Sequence, residues 1–229
     1  MSARGQHISS GGRLLLLASV IAAILATSCQ KAPDSLETIL QRGAVKVISH
    51  NSAHGYYIYR EQPMGFEYDL AKAFAEHLGV ELEIITPVWN NIFDALKDRK
   101  GDLIAASLTI TEGRRNDFAF SDPYMEVHQH VITRKWHLSP TSLDHLEGKS
   151  LHIRKNTSYH IRLKQLQQQG MDLKLLTYDN IPTEEFIRRV HAGFIDYPVS
   201  DSNIIRLNQR YYPDIRVGPA IAGIQYLGW

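Results

Sequence analysis

A cluster of hydroxyl and guanidinium side chains follows the apolar run 103–106, which is typical of a buried strand. Ser107, Thr109 and Thr111 supply the hydroxyls, and Arg114 and its neighbour follow within one helical turn. Hydroxyl and free backbone N–H groups are short-range donors, and an arginine fork holds a carboxylate through two parallel hydrogen bonds. The pattern fits a site for a small anion. It fits equally well an ordinary strand-to-helix turn in which Thr111 is the N-cap and both arginines lie in water.

Further candidates are expected at the same edge of the structure, because ligands of open α/β sheets bind outside the carboxyl ends of the strands. The loops that carry Tyr57 and Trp89 each follow a strand pattern, and their rings could stack on a ligand or pack in the core. Thr157 and Ser158 begin a helix at a strand end, which suits an anion and suits plain N-capping as well. Asp201 stands between a strand and a helix, where aspartate is a good N-cap.

These positions depend on an alternation of strands and helices along the chain. The runs 45–49 and 81–86 predict strands, and Gly65 to Gly79 predicts an amphipathic helix with Leu70 and Phe74 on one stripe. Alternation at this spacing indicates βαβ units and a parallel sheet, so we predict an α/β fold.

The composition excludes several classes of protein. With 229 residues, of which 44% are hydrophobic and 21% charged, the chain can form one large domain or two small lobes. A net charge of +1 with scattered basic residues gives no footprint for nucleic acid. His128 and His130 share a strand face, but no third ligand is evident by spacing. We predict neither a metal site nor a cofactor.

The N-terminus resembles an export signal. Leu14 to Ala26 is almost wholly apolar, which is too short for a membrane-spanning helix and typical of a signal peptide. The only cysteine, Cys29, follows directly after small residues, as in a lipoprotein signal; a plain signal peptide with an incidental cysteine is the alternative. We predict a lipoprotein signal at 1–29 with lipid on Cys29 and a tether at 30–35. Gln30 after the cysteine, by resemblance to Gram-negative lipoproteins, favours a periplasmic protein anchored to the outer membrane.

Two long segments carry a family resemblance. The segment SLTITEGRRNDFAFSDPY, residues 107–124, resembles the ligand-gripping segment of the bacterial family 3 solute-binding proteins. The segment GFEYDLAKAFAEHLG, residues 65–79, matches a second signature of that family, although Tyr68 stands where a small aliphatic residue is usual. The resemblance covers about residues 36–229.

The resemblance implies a two-lobe periplasmic-binding-protein fold of type II with mainly parallel sheets. Lobe 1 would span 36–134, lobe 2 would span 135–218, and 219–229 would return to lobe 1, whose C-terminal part would be missing and whose stability would be reduced. Arg114 and the nearby hydroxyls would hold a ligand carboxylate. Asp201 falls in a segment like the family's Gly-x-Ile-Asp-x-x-x-x-Asp, so it would bind the α-amino group of the ligand.

Within family 3 the chain is most similar to the N-terminal module of the membrane-bound lytic murein transglycosylase F family. That resemblance implies a periplasmic sensing module for a small zwitterion or a muropeptide, regulating a peptidoglycan-cleaving enzyme. A free amino-acid-binding lipoprotein of an ABC importer is the alternative. The Glu-Ser motif of the family's catalytic module is absent from these residues, and the cleft-edge candidates Glu67 and Glu112 have ordinary helix-start explanations. We therefore expect no catalysis by this chain alone.

Overall fold

The computed structural model describes residues 35–135 and 139–229. The predicted signal peptide, with Cys29, and nearly all of the tether lie outside the described residues. The strands are β1 (Ala44–Ile48), β2 (Tyr57–Tyr59), β3 (Gln62–Met64), β4 (Glu81–Ile85), β5 (Leu103–Ile104), β6 (Leu108–Thr109), β7 (Met125–Val127), β8 (Gln129–Arg134), β9 (Ser150–Arg154), β10 (Lys174–Tyr178), β11 (Val199–Asp201), β12 (Ile215–Ala220) and β13 (Gln225–Gly228).

The helices alternate with these strands over much of the chain. They are α1 (Ser35–Arg42), α2 (Phe66–Leu78), α3 (Ile92–Lys97), α4 (Glu112–Arg115), α5 (Ser158–Gln168), α6 (Thr183–His191) and α7 (Ser202–Gln209), with 3₁₀ turns at Trp89–Asn91 and Asp144–Leu146. None of the helices in the described ranges is both long and apolar enough to cross a bilayer.

The first lobe is built on a parallel sheet in which β1 lies between β4 and β5. Val45, Val47 and Ile48 of β1 are fully buried, as is typical of a parallel strand covered on both faces. On one face Ala71 and Ala75 of α2 pack against the valines, while α3 and its preceding turn pack around Ile48. The parallel sheet predicted for this half is observed.

The second lobe combines a parallel and an antiparallel sheet. β9 and β10 run parallel, and β8 lies between β11 and β12, antiparallel to both. A bridge between His152 and Pro198 joins the two sheets. The core packs Leu151 and Ile153 of β9 against Leu163 of α5, all three fully buried.

The chain crosses between the lobes twice. β7 pairs with β13 in the first lobe, whereas β8, which follows after His128, pairs with β11 and β12 in the second. We therefore place the first crossing at His128, ahead of the predicted boundary at residue 134. The sequence pattern of 128–133 shows a strand but cannot show which strands it pairs with. The second crossing lies between β12 and β13, inside the predicted return segment 219–229.

β13 ties the end of the described chain to the first lobe. It lies between β6 and β7, antiparallel to both, and its Leu227 is fully buried. The ring of Trp229 packs edge-on against Phe74 of α2, with 5.9 Å between the ring centres. The return strand therefore completes the packing of α2.

Glu67, in the first turn of α2, is fully buried and organises this corner of the lobe. Its carboxylate accepts hydrogen bonds from the backbone N (2.6 Å) and Oγ (2.7 Å) of Ser107, from the Tyr124 hydroxyl and from Nε1 of Trp229 (2.7 Å). Burial and the neighbouring carboxylate raise the pKa of Tyr124, so its hydroxyl keeps its proton and donates. Four donors offset the cost of burying a carboxylate. A favourable helix dipole is therefore an incomplete explanation of Glu67.

Gly65 permits a close contact between the start of α2 and the loop 50–55. Its φ is 139°, and a Cβ there would lie 2.2 Å from the backbone oxygen of Gly55. We expect Gly65→Ala to lower the free energy of unfolding by about 1 kcal/mol or more, because the chain would have to shift as well as adopt a strained φ. Gly113→Ala in α4, where no atom lies within 4 Å, should leave it unchanged or raise it slightly. Equal denaturation midpoints for the two variants would contradict this account.

Glu67→Gln tests the buried acceptor. One carboxylate oxygen would become an NH₂ group that faces another donor. We expect the free energy of unfolding to fall by roughly 1–3 kcal/mol, the cost of leaving a buried polar group unsatisfied. Urea denaturation measures it, with Glu112→Gln, at an exposed position, as the matched control. A loss no larger than that of the control would show that Glu67 is not a structural acceptor.

Candidate functional site

A cavity of about 40 Å³ lies between the lobes, bordered by the residues that follow β1, β4, β5 and β9. This is the edge of the sheets at which ligands of α/β folds bind. The predicted site residues that line it are Trp89, Ser107, Thr109, Arg114, Thr157, Ser158 and Asp201. The segment that carries Arg114, in the first lobe, and the segment that carries Asp201, in the second lobe, are therefore brought together.

Tyr57 does not line this cavity. It lies in β2, which pairs with β3 as a hairpin in the register Tyr57 to Met64 and leaves the tyrosine half-buried. The sequence pattern located the loop after β1 correctly, but the hairpin carries the ring away from the cleft. The residues of that loop that reach the cavity are His50 and His54.

Arg114 is held inside the cleft by its local fold. Thr111 caps α4 and its hydroxyl accepts a hydrogen bond from the Arg114 backbone N at 3.3 Å. The guanidinium lies over the ring of Phe93 and donates to the backbone oxygens of Thr109 (2.8 Å) and Asn156 (3.3 Å). Burial lowers the pKa of Arg114 to about 10, so the side chain stays cationic near neutral pH. The predicted N-cap role of Thr111 is observed, and Arg114 is buried whereas the neighbouring Arg115 is exposed. The anion site itself stays a prediction.

The hydroxyl groups of the cleft differ in the hydrogen-bond partners that they already have. Thr109 Oγ1 and Ser158 Oγ, one from each lobe, form a hydrogen bond of 2.9 Å inside the cavity. Thr157 caps α5 and donates to the backbone oxygen of Arg154 at 2.8 Å. Both donors of Ser107 are used by Glu67. Thr109 and Ser158 can therefore turn toward a ligand, while Ser107 and Thr157 shape the walls.

Asp201 is the most unusual group in the cavity. It stands at the N-cap position of α7, yet its side chain makes no capping hydrogen bond. The residue is 6% exposed, and its Oδ1 has no partner among the described residues. Burial raises the pKa of Asp201 to about 6, opposed by a hydrogen bond from Gln129 and by the charge of Arg114. The side chain of Asp201 therefore does not cap α7, and its carboxylate is buried in the wall of the cavity.

A second set of polar side chains lines the cavity and was missed by the sequence analysis. Arg154 and Trp89 lie face to face, with the guanidinium carbon 4.4 Å from the ring centre. His50 meets the edge of the same ring, and His54 Nδ1 lies 4.0 Å from Oε1 of Glu184 across the cleft. The position of Arg154 at the end of a strand was the available signal. No group of three or more side chains suited to a metal ion occurs in the described part of the chain.

The lobes are closed on one another by direct contacts. Trp89 Nε1 donates to the Lys155 backbone oxygen at 3.1 Å. Asn90 donates to Asp179 at 2.9 Å and accepts from Asn156 at 3.0 Å. These hydrogen bonds join the turn after β4 to the second lobe.

The sequence of this chain is similar to those of known extracellular solute-binding and membrane-bound proteins. The profile of bacterial extracellular solute-binding proteins, family 3, matches residues 45–173. The chain is 48% identical over 200 residues to membrane-bound lytic murein transglycosylase F of Desulfosudis oleivorans, covering 87% of this chain and 44% of that protein. The protein of the same name from Saccharophagus degradans is 36% identical, with 93% and 42% covered. The chain thus spans less than half the length of these curated relatives.

Solved structures agree with the sequence relatives. The arginine-bound form of truncated ArgBP from T. maritima has a TM-score of 0.72 at 26% identity, covering 84% of this chain and 89% of that one. An ancestral amino acid-binding protein, a precursor of cyclohexadienyl dehydratase, has a TM-score of 0.75 at 26% identity, with 85% and 84% covered. The predicted two-lobe type II fold is confirmed. The chain belongs to the bacterial extracellular solute-binding proteins of family 3.

Proposed function

We propose that this chain is a periplasmic sensing module that binds a small amino-acid-like zwitterion or a cell-wall peptide terminus between its lobes. Arg114, with Thr109 and Ser158, holds the ligand carboxylate, and Asp201 holds the ammonium group. The module is the regulatory N-terminal part of a peptidoglycan lytic transglycosylase. The observation that carries this proposal is the buried, unpartnered oxygen of Asp201 beside a buried arginine.

Burial of the Asp201 carboxylate costs free energy in the absence of a ligand. A buried carboxylate without its full set of hydrogen bonds destabilises a fold. Selection for stability alone would replace this residue or pair its oxygens with the N–H groups at the start of the helix. Asp201 does neither: its side chain makes no capping hydrogen bond, and the backbone N–H groups of Ser202 and Ile204 donate to the His128 oxygen and to Asn203 Oδ1 instead. A ligand ammonium would supply the missing donors and a compensating charge.

Ligand entry requires movement of the lobes. A cavity of about 40 Å³ is far smaller than the roughly 300–1,000 Å³ of typical ligand pockets. An amino acid can enter only if the cross-lobe hydrogen bonds of Trp89 and Asn90 break. Closure of two lobes about hinge strands is a known mode of ligand capture. The crossings at His128 and between β12 and β13 are where such a hinge would act.

The relatives support the setting of the module. Both are named as membrane-bound lytic murein transglycosylases, and the chain spans less than half of each. We infer a location in the periplasm, with an outer-membrane anchor on Cys29, and peptidoglycan as the neighbouring polymer.

An importer subunit is the second candidate. It is favoured by the likeness to an arginine-bound protein that the chain matches over 89% of its length. An immunoblot of source cells with an antibody against residues 35–135 separates the two. A lipidated band clearly larger than this chain supports the regulatory module, and a band of this chain's own size supports the importer subunit.

Arg114→Ala tests the carboxylate clamp. We expect it to lower ligand affinity at least a hundredfold, because removing one partner of a desolvated charge pair costs several kcal/mol. Isothermal titration calorimetry with the best ligand of an amino-acid and muropeptide panel measures this. Arg115→Ala, the exposed neighbour, is the control and should bind normally. Unchanged affinity in a folded Arg114→Ala variant would remove Arg114 from the site.

The pKa of Asp201 predicts a pH dependence. The ionised carboxylate binds the ammonium, so affinity should be constant above about pH 7 and fall as Asp201 is protonated below pH 6. For a pKa of about 6 the loss between pH 7.5 and pH 5 is about tenfold, and binding at pH 5 should release a proton. Calorimetry in buffers of different ionisation enthalpy measures both quantities.

Two variants assign this pH effect. Asp201→Asn should bind weakly at every pH, without the slope. Glu184 also has a pKa raised by burial, so Glu184→Gln should retain the slope if Asp201 is its source. A flat profile for the wild type would rule out an ionised Asp201 as the ammonium site.

A further inference from the structure

The cavity contains more unsatisfied polar groups than a carboxylate and an ammonium of a ligand can use. Nδ1 of His50, Nδ1 of His54 and Nε of Arg154 are buried and have no hydrogen-bond partner among the described residues. The three side chains are at most 9% exposed. Buried polar groups are nearly always paired, so three such atoms on residues that line one cavity indicate contacts that a bound molecule completes. We call His50, His54, Trp89 and Arg154 the basic subsite.

The charge of the basic subsite comes from Arg154 alone. Burial, followed by the charge of Arg154 itself, lowers the pKa of His50 to about 3, and burial lowers that of His54 as well. Both imidazoles are therefore neutral near neutral pH and act as hydrogen-bonding groups. Arg154 is cationic, although burial lowers its pKa too.

The stacking of Arg154 on Trp89 excludes one class of side chain. A tryptophan face in a cleft could receive the guanidinium or ammonium of a basic ligand. Here the guanidinium of Arg154 occupies that face at 4.4 Å. A second cation would have to displace it or lie beside it, and two like charges in a buried site repel strongly.

Glu184 is the acidic group that faces this subsite. Its Oε1 lies 4.0 Å from His54 and has no hydrogen-bond partner within the described ranges. Glu184 belongs to the first turn of α6 and is not among the residues that line the cavity. Burial raises the pKa of Glu184, which favours its neutral form. A ligand in the cavity therefore meets Arg154 and the two imidazoles before it meets this carboxyl group.

We propose that the ligand carries a second carboxylate, which the basic subsite binds through Arg154 with His50 and His54. The ligand class is an acidic α-amino acid or a peptide terminus with an acidic side chain, and basic amino acids are rejected. This inference rests on the proposed function, because it takes the Arg114 and Asp201 ends of the site as given. It separates this chain from its arginine-bound structural relative.

Calorimetry with L-glutamate, L-glutamine, L-arginine and the dipeptide L-alanyl-L-glutamate tests the proposal. We expect L-glutamate or the dipeptide to bind at least tenfold more tightly than L-glutamine, and L-arginine not to bind. The tighter of the two acidic probes tells a free amino acid from a peptide terminus. Binding of L-glutamine or L-arginine as tight as that of both acidic probes would overturn the inference and leave the proposed function standing. Failure of every probe to bind would overturn both.

Variants of Arg154 show whether the preference arises from the subsite. Arg154→Gln should lower affinity for the preferred acidic probe at least tenfold while changing that for L-glutamine less than threefold. Arg154→Lys keeps the charge and should retain part of the preference, which guards against misreading a folding defect. Lys164→Gln removes a unit charge from the exposed face of α5 and should change neither affinity. Equal losses for both ligands in Arg154→Gln would reduce Arg154 to a structural role and overturn the proposal.

Discussion

The buried carboxylate of Glu67 holds together the parts of the first lobe on which the binding cleft depends. It accepts hydrogen bonds from the ligand loop at Ser107, from Tyr124 before the first crossing, and from Trp229 after the second. A buried carboxylate must satisfy its oxygens, so these three segments cannot move independently without a large cost. The loop that leads to Thr109 and Arg114 is thereby fixed relative to both hinge strands. Glu67 therefore couples the strands on either side of the hinge to the loop that leads to the cleft.

The cleft itself is arranged in the opposite way. Both carboxylate oxygens of Glu67 accept hydrogen bonds, whereas Asp201, Arg154 and the two histidines at the cavity each have a buried atom without a partner among the described residues. Buried polar groups without partners lower the stability of the closed, empty form. A ligand that pairs with these groups stabilises the closed form by binding to it. The fold therefore combines a fully satisfied scaffold with an unsatisfied cleft, as expected of a protein selected for binding rather than for stability alone.

The main fold and about half of the residues that line the cavity could be predicted from the sequence, for identifiable reasons. The strands and helices of the first lobe have strong local patterns, and Arg114 and Asp201 lie in long motifs. Whether Asp201 caps its helix depends on the orientation of one carboxylate, which no local pattern sets. Glu67 was explained by its place in a helix, because its four donors come from positions 40 to 162 residues away in sequence. Arg154, His50 and His54 have no motif, and Arg154 of the second lobe meets the two histidines of the first only across the cleft.

Two differences concern pairing rather than pattern. The strand at 128–133 was recognised and placed in the first lobe by the boundary that the resemblance implied, whereas β8 hydrogen-bonds to strands that come some 70 and 85 residues later. Tyr57 was placed in the cleft because it follows β1, and the β2–β3 hairpin turned it away. Both cases show that non-local contacts decide where a correctly predicted element lies.

The central claim is that one zwitterion bridges Arg114 and Asp201 across the cleft. A crystal structure of the protein grown with a saturating concentration of the tightest-binding of the four calorimetry probes tests it most directly. We expect density for a ligand whose ammonium lies within hydrogen-bond distance of Asp201 and whose α-carboxylate contacts Arg114, with the Thr109 and Ser158 hydroxyls turned toward it. A closed cleft with no ligand density, or a ligand bound elsewhere with Asp201 still unpaired, would contradict it.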